Sequence, residues 1–490
     1  MYLKPDGKRL LLINFDPVKH LSVKKIIFLF SVSAITAFGC STSEKQSRPN
    51  ILILYADDLG WSDIGCFGNN DHDTPSMNQL ASEGIKYTNA YAPAPICSAS
   101  RASIITGKSP ARLHFEFVAT EARISDKPLL PPKRTLELPL EEITLGEIAE
   151  KAGYNTAYFG KWHIAKHNGK YLKWSNTHGP LQQGFATGSD HYGSHPYDER
   201  NRIPAQLKEG EFPIDTLVQK AIGFLKKQQQ EQQPFFMFFS SYYVHTPVIP
   251  NNSWLIEKYR KRMPGASEDR IKYAAFVETM DYYYGQILKA LKHYGLEKNT
   301  VVIFTSDNGG HPKYTDNAPL RGNKWNLYEG GIREPFMVKW PGVIDKNTES
   351  SEPVIQWDIM PTLCELMEQP DPENTDGKSL LPLWTGKIPA LKRKSLYWHF
   401  PYYHPPKSYE GTKPCSAIRQ GDYKLIYFYE DKQTELYDLA NDIGESTDLS
   451  SEMPEITEKL KALLMKHLKK ANARFAIPNP EFPERKIQSP

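Results

Sequence analysis

Residues 50–58 read NILILYADD, an apolar run that ends in two aspartates. Near-continuous apolar character over this length predicts a strand that is buried on both faces, as in a parallel sheet covered by helices. Four further segments share this character: NTAYFG (155–160), PFFMFFSSYY (234–243), NTVVIFTS (299–306) and PFMVKW (335–340). The sequence therefore predicts a central sheet in which most strands are parallel.

Helical patterns separate these strands. The clearest of them are TPSMNQLASEG (74–84), TLGEIAEKAG (144–153), DTLVQKAIGFLKKQQQ (215–230) and VETMDYYYGQILKALKHYG (277–295). Alternation of strands and helices is typical of an α/β domain with helices on both faces of its sheet. We place this α/β domain at residues 49–385.

After residue 385 the pattern changes to short apolar segments separated by turns. Four of them predict antiparallel strands: SLYWHF (395–400), CSAIRQ (415–420), YKLIYFY (423–429) and TELYDLAND (434–442). A helical pattern follows at 454–472. We therefore predict a smaller C-terminal α+β subdomain with an antiparallel sheet at residues 386–490.

The N-terminal residues resemble an export signal. Lys24 and Lys25 precede thirteen mostly apolar residues, IIFLFSVSAITAF (26–38). This run is shorter than a membrane span needs and is typical of a secretory signal. The Gly39-Cys40 pair that follows resembles a bacterial lipoprotein signal, in which Cys40 would carry lipid; a plain signal peptide is the alternative.

These features assign residues 1–40 to a leader and residues 41–48 to a tether. We expect export to the periplasm or the cell surface of a Gram-negative bacterium, with membrane contact only through a lipid on Cys40. The formal net charge of +3 gives no basic footprint of the kind that nucleic-acid-binding proteins carry, so no nucleic-acid partner is expected. With five cysteines in 490 residues, the chain is not a disulfide scaffold.

Polar oxygen ligands follow two of the predicted strands. Asp57 and Asp58 end the first, and Asp307 and Asn308 end the strand at 299–306. In open parallel sheets, ligands bind outside the carboxyl ends of the strands, so these pairs are expected to meet at one edge. Oxygen-only ligands favour a hard cation, Ca²⁺ first and Mg²⁺ second. Asp and Asn also start loops, which is the alternative for either pair alone.

Other residues point to binding of an anion. Lys161 and His163, in GKWHIA, lie two positions apart and point the same way if the chain is extended. Lys324 lies in the glycine-rich LRGNKWNLYEGG, which lacks the order of a Walker loop. His245, in YYVHTP, suits a proton donor near neutral pH. Taken singly, each is as readily an ordinary surface or structural residue.

The segment CSASRASIITG (97–107) resembles the signature of the formylglycine-dependent sulfatases, a family of the alkaline phosphatase superfamily. That signature is Cys-x-Pro/Ala-x-Arg followed by Thr-Gly. The motifs ADDLGWSD, CSASR, GKWH, HTP, TSDNG and LRGNKWNLYEGG occur in the order that the family shows, and the resemblance extends over about residues 49–450. Six motifs in order are far more specific than one five-residue motif.

The resemblance implies a set of site residues. Cys97 would be oxidised to formylglycine by a separate maturation enzyme, and Ala99, where many members have Pro, bears on which enzyme acts. The Ca²⁺ ligands would be Asp57, Asp58, Asp307 and Asn308 together with residue 97. Arg101 would hold the hydroxyls of the modified residue, His163 its hydrate, Lys161 and Lys324 the sulfate, and His245 the leaving-group oxygen. If residues after 97 form a helix, its N-terminus also favours an anion.

The implied activity is hydrolysis of sulfate esters, with O-sulfate on a hexose or hexosamine of sulfated glycans as the expected substrate. Two aromatic, histidine-rich stretches, 177–200 and 397–407, suit a sugar and are predicted to line the pocket mouth; ordinary surface loops are the alternative. Two other functions remain open at this point. One is a phosphoester or phosphonate hydrolase of the same superfamily, and the other is a non-catalytic, glycan-binding surface lipoprotein.

Overall fold

The computed structural model describes residues 48–119, 126–202, 207–231, 233–404 and 411–482. The predicted leader, Cys40 and all but the last residue of the predicted tether lie outside these ranges. Within the ranges, none of the helices combines the length and the apolar composition that a membrane span requires.

The elements of the described residues alternate along the first three quarters of the chain. The strands are β1 (Asn50–Ala56), β2 (Ile85–Tyr87), β3 (Ala90–Tyr91), β4 (Leu129–Leu130), β5 (Asn155–Gly160), β6 (Thr187–Ser189), β7 (Phe235–Ser240), β8 (Thr300–Ser306), β9 (Phe336–Lys339), β10 (Thr348–Ser350), β11 (Val354–Ile355), β12 (Leu396–Phe400), β13 (Cys415–Gln420), β14 (Tyr423–Phe428), β15 (Thr434–Asp438) and β16 (Ile477–Pro478). The α-helices are α1 (Pro75–Ser82), α2 (Cys97–Thr106), α3 (Pro110–Leu113), α4 (Leu145–Lys151), α5 (Thr216–Gln228), α6 (Ser253–Arg262), α7 (Glu268–His293), α8 (Glu329–Ile332), α9 (Ile359–Leu366), α10 (Leu381–Trp384) and α11 (Pro454–Lys470).

The central sheet has eight strands in the order β10-β2-β9-β8-β1-β7-β5-β6. All neighbouring strands run parallel except β9, which is antiparallel to both β8 and β2. The prediction of an α/β domain with a mostly parallel sheet is confirmed. The apolar segment that forms β9 gave no sign of its direction, because burial on both faces produces the same apolar run in a parallel and in an antiparallel strand.

Alternate side chains of β1 enter two different parts of the core. Ile51, Ile53 and Tyr55 pack with residues of α2, α4 and α9 on one face of the sheet. Leu52 and Leu54 pack with residues of α1, α5 and α7 on the other face. Because both faces are covered, no polar residue interrupts the strand, which is why its sequence reads as an unbroken apolar run.

Helix α7 begins nine residues before the predicted start at 277. The hydroxyl of Ser267 accepts a hydrogen bond from the backbone N–H of Arg270, so Ser267 is the N-cap, and Glu268 and Asp269 follow in the first turn. This capping pattern was present in the sequence, and the stretch of charged residues after it obscured the helical period.

The C-terminal region contains a second sheet, antiparallel, in the order β12-β13-β14-β15. Helix α11 covers it through Leu460, Leu464 and Leu468, which pack on Ile418 and Leu425. The predicted antiparallel sheet and helix are therefore confirmed, whereas the domain boundary at residue 385 stays a prediction.

A buried ionic network links the second sheet to the first part of the chain. Lys424 Nζ, on β14, lies 2.9 Å from the carboxylates of both Glu329, on α8, and Glu445. Glu329 also pairs with Arg333 at 2.7 Å. Buried charges are costly unless they are paired. This network therefore fixes the position of β14 relative to α8, which follows Lys324 in the chain.

His399 on β12 predicts a loss of stability in acid. Its Nδ1 lies 2.6 Å from Ser416 Oγ and its Nε2 lies 2.8 Å from the carbonyl oxygen of Arg474. Burial lowers the pKa of His399 to about 4, against about 6.5 in an unfolded chain. Between these values the unfolded chain binds a proton that the folded chain does not, so stability falls as pH falls, by up to about 1.4 kcal/mol per pH unit from this residue.

We therefore expect His399→Gln to flatten the dependence of the unfolding free energy on pH between about 6.5 and 4. Urea denaturation at a series of pH values in this window measures it. Met465→Ala, at an exposed position of α11, is the control because it removes no titratable group, and it should keep the wild-type slope. An unchanged slope in His399→Gln would show that this histidine does not couple folding to pH.

Candidate active site

The residues predicted to follow β1 and β8 meet at one edge of the central sheet. The two strands are parallel neighbours, with Ala56 beside Ser306. The backbone N–H of Asp58 donates to Asp307 Oδ1 at 3.0 Å, and Asn308 Nδ2 donates to Asp58 Oδ1 at 2.9 Å. The sheet register therefore brings together side chains that lie about 250 positions apart in the sequence.

Two buried lysines face these carboxylates. Lys161 Nζ donates to both carboxylate oxygens of Asp57, at 2.8 and 2.7 Å. Lys324 Nζ donates to Asp58 Oδ2 at 2.6 Å. Burial opposes protonation of Lys161, but the charge of Asp57 outweighs it and raises the pKa of the lysine. Both amines are therefore cationic at neutral pH, and an ammonium group has three protons to share among acceptors.

The carboxylates differ in how their charge is compensated. Burial opposes ionisation of Asp58, but the charges of Lys324 and His245 outweigh it and hold its pKa well below the ordinary value. Burial, and then the charge of Asp57, raises the pKa of Asp307. Asp58 also has a φ of 60°, in the left-handed region that non-glycine residues rarely adopt. A divalent cation bound between these carboxylates would reduce the repulsion among their negative charges.

The donor set fits a hard divalent cation. Asp57, Asp58 and His245 each offer one ligand atom, and these atoms lie within 4.8 Å of one another. Among the described residues, Oδ1 of Asn308 is buried and has no hydrogen-bond partner, while its amide nitrogen holds Asp58. The predicted ligand Asp307 lies beside them. Carboxylate and amide oxygens in this number are typical of Ca²⁺ and Mg²⁺ sites.

Cys97 is the first residue of α2, all of whose residues are buried. Its Sγ lies 3.3 Å from His163 Nδ1. Burial raises the pKa of this thiol, so the reactive thiolate is disfavoured and the cysteine as it stands is a poor nucleophile. The four cysteines that the structure describes are all free thiols.

Arg101 lies one turn after Cys97 on α2, and its guanidinium contacts groups at the ends of several strands. Its Nε and one terminal nitrogen donate to Asp307 Oδ2 at 3.0 and 2.7 Å. The other terminal nitrogen donates to the carbonyl oxygen of Lys161 at 2.9 Å and to Ser240 Oγ at 2.5 Å. The guanidinium thus forms hydrogen bonds to residues at the ends of three strands, β5, β7 and β8. Ser240, the last residue of β7, had no motif that could have identified it.

The backbone turns at His163 instead of staying extended, and the turn places its side chain beside Cys97. Its φ is 59°, so the chain turns after β5, and Lys161 and His163 contact different residues. Burial, and then the charge of Lys161, holds the pKa of His163 well below its ordinary value. A neutral imidazole therefore lies beside residue 97, where it can accept a proton.

His245 lies after β7, and each of its two ring nitrogens contacts another residue. Its Nε2 is 3.5 Å from Asp58 Oδ2, and its Nδ1 is 2.7 Å from the carbonyl oxygen of Thr246 and 2.5 Å from the hydroxyl of Tyr197. Burial lowers the pKa of His245 to about 3. The carbonyl oxygen of His245 also contacts His195 Nε2 at 3.0 Å.

The two stretches predicted to line the pocket mouth, 177–200 and 397–407, make different contacts with the candidate site. Tyr197 and the buried His195 come from 177–200, so this stretch turns inward to His245. In the other stretch, the ring of His404 stacks on Trp325 at 3.9 Å, next to Lys324. Neither contact could be assigned from sequence, because an aromatic-rich loop has the same composition whether it faces the site or the solvent.

Comparison with known proteins finds several relatives. The family profile described as "Sulfatase" matches residues 49–369, and that described as "N-sulphoglucosamine sulphohydrolase, C-terminal" matches residues 322–473. A "Sulfatase" of Formosa agariphila is 30% identical, over 91% of this chain and 94% of its own. The N-acetylgalactosamine-6-sulfatase of Homo sapiens is 31% identical, over 74% of this chain and 70% of its own.

The fold is shared with solved structures. The crystal structure of Ps i-CgsB in complex with k-i-k-neocarrahexaose has a TM-score of 0.70 and 24% sequence identity, over 89% of this chain and 95% of its own. At that identity the likeness concerns the fold alone.

Proposed function

The chain belongs to the sulfatase family and is a sulfuric ester hydrolase, and from this premise we propose that it removes O-sulfate from a hexose or hexosamine of sulfated glycans. The names of similar proteins support a carbohydrate as the substrate. One is named an N-acetylgalactosamine-6-sulfatase, and the solved structure with the same fold holds a neocarrahexaose.

The observation that carries the proposal is the position of Cys97. It begins a buried helix, its Sγ lies 3.3 Å from His163, and the cations of Lys161 and Lys324 lie in the same cluster of charges. Burial raises the pKa of the Cys97 thiol, and the charges of both lysines partly oppose that rise. A tetrahedral anion bound by these cations would therefore lie next to residue 97.

We propose that Cys97 is converted to formylglycine by a separate maturation enzyme. The hydrated aldehyde would supply two hydroxyl groups, one to attack sulfur and one whose deprotonation lets sulfate leave. His163 Nδ1, beside the side chain of residue 97, would accept that proton as a neutral imidazole. A serine or cysteine in this place would lack the second hydroxyl and would stay blocked by sulfate.

Two cations of this chain would stabilise the charge on the sulfate oxygens, and a third would position them. Lys161 and Lys324 each keep ammonium protons beyond those that Asp57 and Asp58 accept. Arg101 holds Asp307 and the end of β7 and so fixes the base of the pocket. Cations arranged before the reaction need no reorganisation as charge develops, which is where most of the rate enhancement arises.

His245 would protonate the leaving-group oxygen. Thr246 and Tyr197 hold its Nδ1, so Nε2 is the atom available to donate. Burial lowers the pKa of His245 to about 3, and both the carboxylate of Asp58, 3.5 Å from Nε2, and the negative charge of a bound sulfate would act in the opposite direction and favour the protonated ring. A sugar alkoxide is a poor leaving group, so proton donation at this position is worth about 10²–10⁴-fold in rate.

Asp57, Asp58, Asp307 and Asn308 would hold a Ca²⁺ ion, or Mg²⁺ as the alternative, next to residue 97. The ion would supply Lewis-acid stabilisation of an oxygen anion. Hydrogen bonds from Asp58 N–H to Asp307 and from the Asn308 amide to Asp58 hold three of these side chains in relation to one another. Within the described ranges the buried Oδ1 of Asn308 has no hydrogen-bond partner, and this feature supports a cation here.

Removal of divalent metal should abolish activity. After chelation, we expect kcat/KM to fall by at least about 10²-fold, because the cation would stabilise charge at the reacting oxygen. Add-back of Ca²⁺ should restore activity, and add-back of Mg²⁺ tests the alternative. Metal content is measured in the same samples, and full activity in protein shown to be metal-free would contradict the site.

The function itself is tested by sulfate release from a panel of sulfated monosaccharides. The panel comprises galactose, glucose and their N-acetylamino derivatives, each sulfated at one position, with a phosphate monoester and a phosphonate monoester as controls. We expect release from one sugar isomer. Faster hydrolysis of the phosphorus esters would favour the phosphoester hydrolase, and no hydrolysis of any member by matured protein would favour a binding protein.

The expected location follows from the proposed substrate. We propose that the protein acts outside the cytoplasm, where sulfated glycans are met, with the apolar run after Lys25 as its export signal and Cys40 as a possible lipid attachment. Mass spectrometry of the mature N-terminus distinguishes a lipidated Cys40 from a plain signal cleavage.

A further inference from the structure

A continuous chain of aromatic rings runs between the two histidines that we assign to catalysis. The ring centroids of His163 and His167 lie 5.5 Å apart, and those of His167 and Tyr171 lie 5.0 Å apart. The chain continues from Tyr171 to Tyr197 at 5.4 Å and from Tyr197 to His245 at 6.0 Å. We call these five residues the aromatic arc. Packed aromatic pairs have centroids about 4.5–7 Å apart, so each ring of the arc is in contact with the next.

Tyr171 is the exposed member of the arc, and its backbone is fixed. Its side chain is 48% exposed. The hydroxyl of Tyr192 donates to the carbonyl oxygen of Tyr171 at 2.5 Å, and the next residue, Leu172, is buried in the core with a φ of 62°. A left-handed backbone at a leucine is unfavourable, and such strain concentrates at functional sites. The fold thus holds an aromatic face toward solvent.

The same ring lies at the proposed sulfate site. Its centroid is 6.3 Å from that of His163, whose Nδ1 lies 3.3 Å from Cys97 Sγ. One histidine ring therefore separates Tyr171 from residue 97. A group esterified to a sulfate on Lys161 and Lys324 would extend past this ring on its way to solvent.

His167 adds a hydrogen-bonding atom to the arc. In the described part of the chain, its Nε2 is buried and has no hydrogen-bond partner. A buried polar atom without a partner costs free energy that a ligand hydroxyl would recover. The arc also contains no carboxylate, lysine or arginine, in contrast to the charged base of the pocket. It suits a neutral ligand with hydroxyls and an apolar face.

We propose that Tyr171 and His167 form the subsite for the sugar ring that carries the scissile sulfate. The C–H face of a hexose or hexosamine packs on the Tyr171 ring, and one sugar hydroxyl bonds to His167 Nε2. The proposal rests on the proposed function. These two residues determine specificity: they select sulfated pyranose rings, while the lysines bind the sulfate common to all substrates.

The test compares binding of the sugar with binding of sulfate. For Tyr171→Ala we expect KM for N-acetylgalactosamine 6-sulfate, or for the best substrate of the monosaccharide panel, to rise about 10-fold or more. We expect kcat to change less than about 3-fold, and the inhibition constant of inorganic sulfate less than about 2-fold, because the lysines are retained. Tyr171→Phe should restore KM, and His167→Ala should raise it several-fold.

Met465→Ala is the matched control, since Met465 is a partly exposed apolar side chain on α11, outside the arc. It should leave KM at the wild-type value. An unchanged KM in Tyr171→Ala would overturn the subsite, and so would an equal rise in KM and in the sulfate inhibition constant, which would indicate collapse of the pocket. If wild-type protein releases no sulfate from any sugar while cleaving another ester, the proposed function fails and the subsite with it.

Discussion

Replacement of Cys97 by alanine is expected to abolish turnover while the protein stays folded. The side chain of residue 97 provides the proposed nucleophile, and loss of a covalent nucleophile costs on the order of 10⁴-fold or more in kcat/KM. Removing one buried sulfur atom leaves a small cavity, so the loss of stability should be about 1 kcal/mol. Sulfate release and urea denaturation measure the two effects.

Cys364→Ala provides the control for this variant. Cys364 is also a buried free cysteine, on α9 in the core and outside the candidate site. The same atom is lost there, and wild-type turnover should remain. Near-normal turnover in Cys97→Ala would remove Cys97 from its role as nucleophile precursor.

Peptide mass spectrometry across residues 97–101 of active wild-type protein gives the matching chemical evidence. A mass deficit at residue 97 that corresponds to conversion of a thiol to an aldehyde is the expected result. An unmodified cysteine in active protein from its native host would contradict formylglycine, and an unmodified cysteine in inactive protein would show that maturation had failed.

Replacement of Lys161 by methionine is expected to have the second largest effect. Loss of one preorganised cation at the sulfate oxygens should lower kcat/KM by about 10²–10³-fold and weaken inhibition by inorganic sulfate. The variant also leaves the buried carboxylate of Asp57 without its nearest cation. Breaking a buried ion pair in this way costs about 3–5 kcal/mol of stability in metal-free protein.

Lys108→Met is the control for a lysine paired outside the site. Lys108 pairs with Glu142 at 2.6 Å, and both side chains are partly exposed. That substitution should cost about 1 kcal/mol or less and leave turnover at the wild-type value. If Lys161→Met kept wild-type kcat/KM and sulfate inhibition, Lys161 would be a structural partner of Asp57 alone.

Much of the site could be predicted because it lies at strand ends that the sequence identifies. The apolar runs of β1 and β8 locate two strands, and the polar residues directly after them, Asp57 and Asp307, must then lie near the same edge if the strands are parallel neighbours. Cys97 and Lys324 were identified by motif rather than by pattern, because neither lies in an amphipathic element.

Other features could not be predicted because they depend on residues far apart in the chain. The direction of β9 is one, since its apolar run is the same in either orientation. The ion pair of Arg101 is another, because its guanidinium contacts Asp307, 206 positions away. The inward turn of Tyr197 to His245 is a third, because the composition of a loop does not reveal which way it faces.

By itself, the sequence determined the α/β class, the antiparallel C-terminal sheet, the family and the identity of the charged residues, because periodicity, strand ends and short motifs are local properties. Only the tertiary structure decided which charge pairs with which, how His163 turns toward Cys97, and how Tyr171 and His167 close the aromatic arc. Those contacts arise from sheet register and loop packing, in which small differences in burial and hydrogen bonding among distant segments select one arrangement.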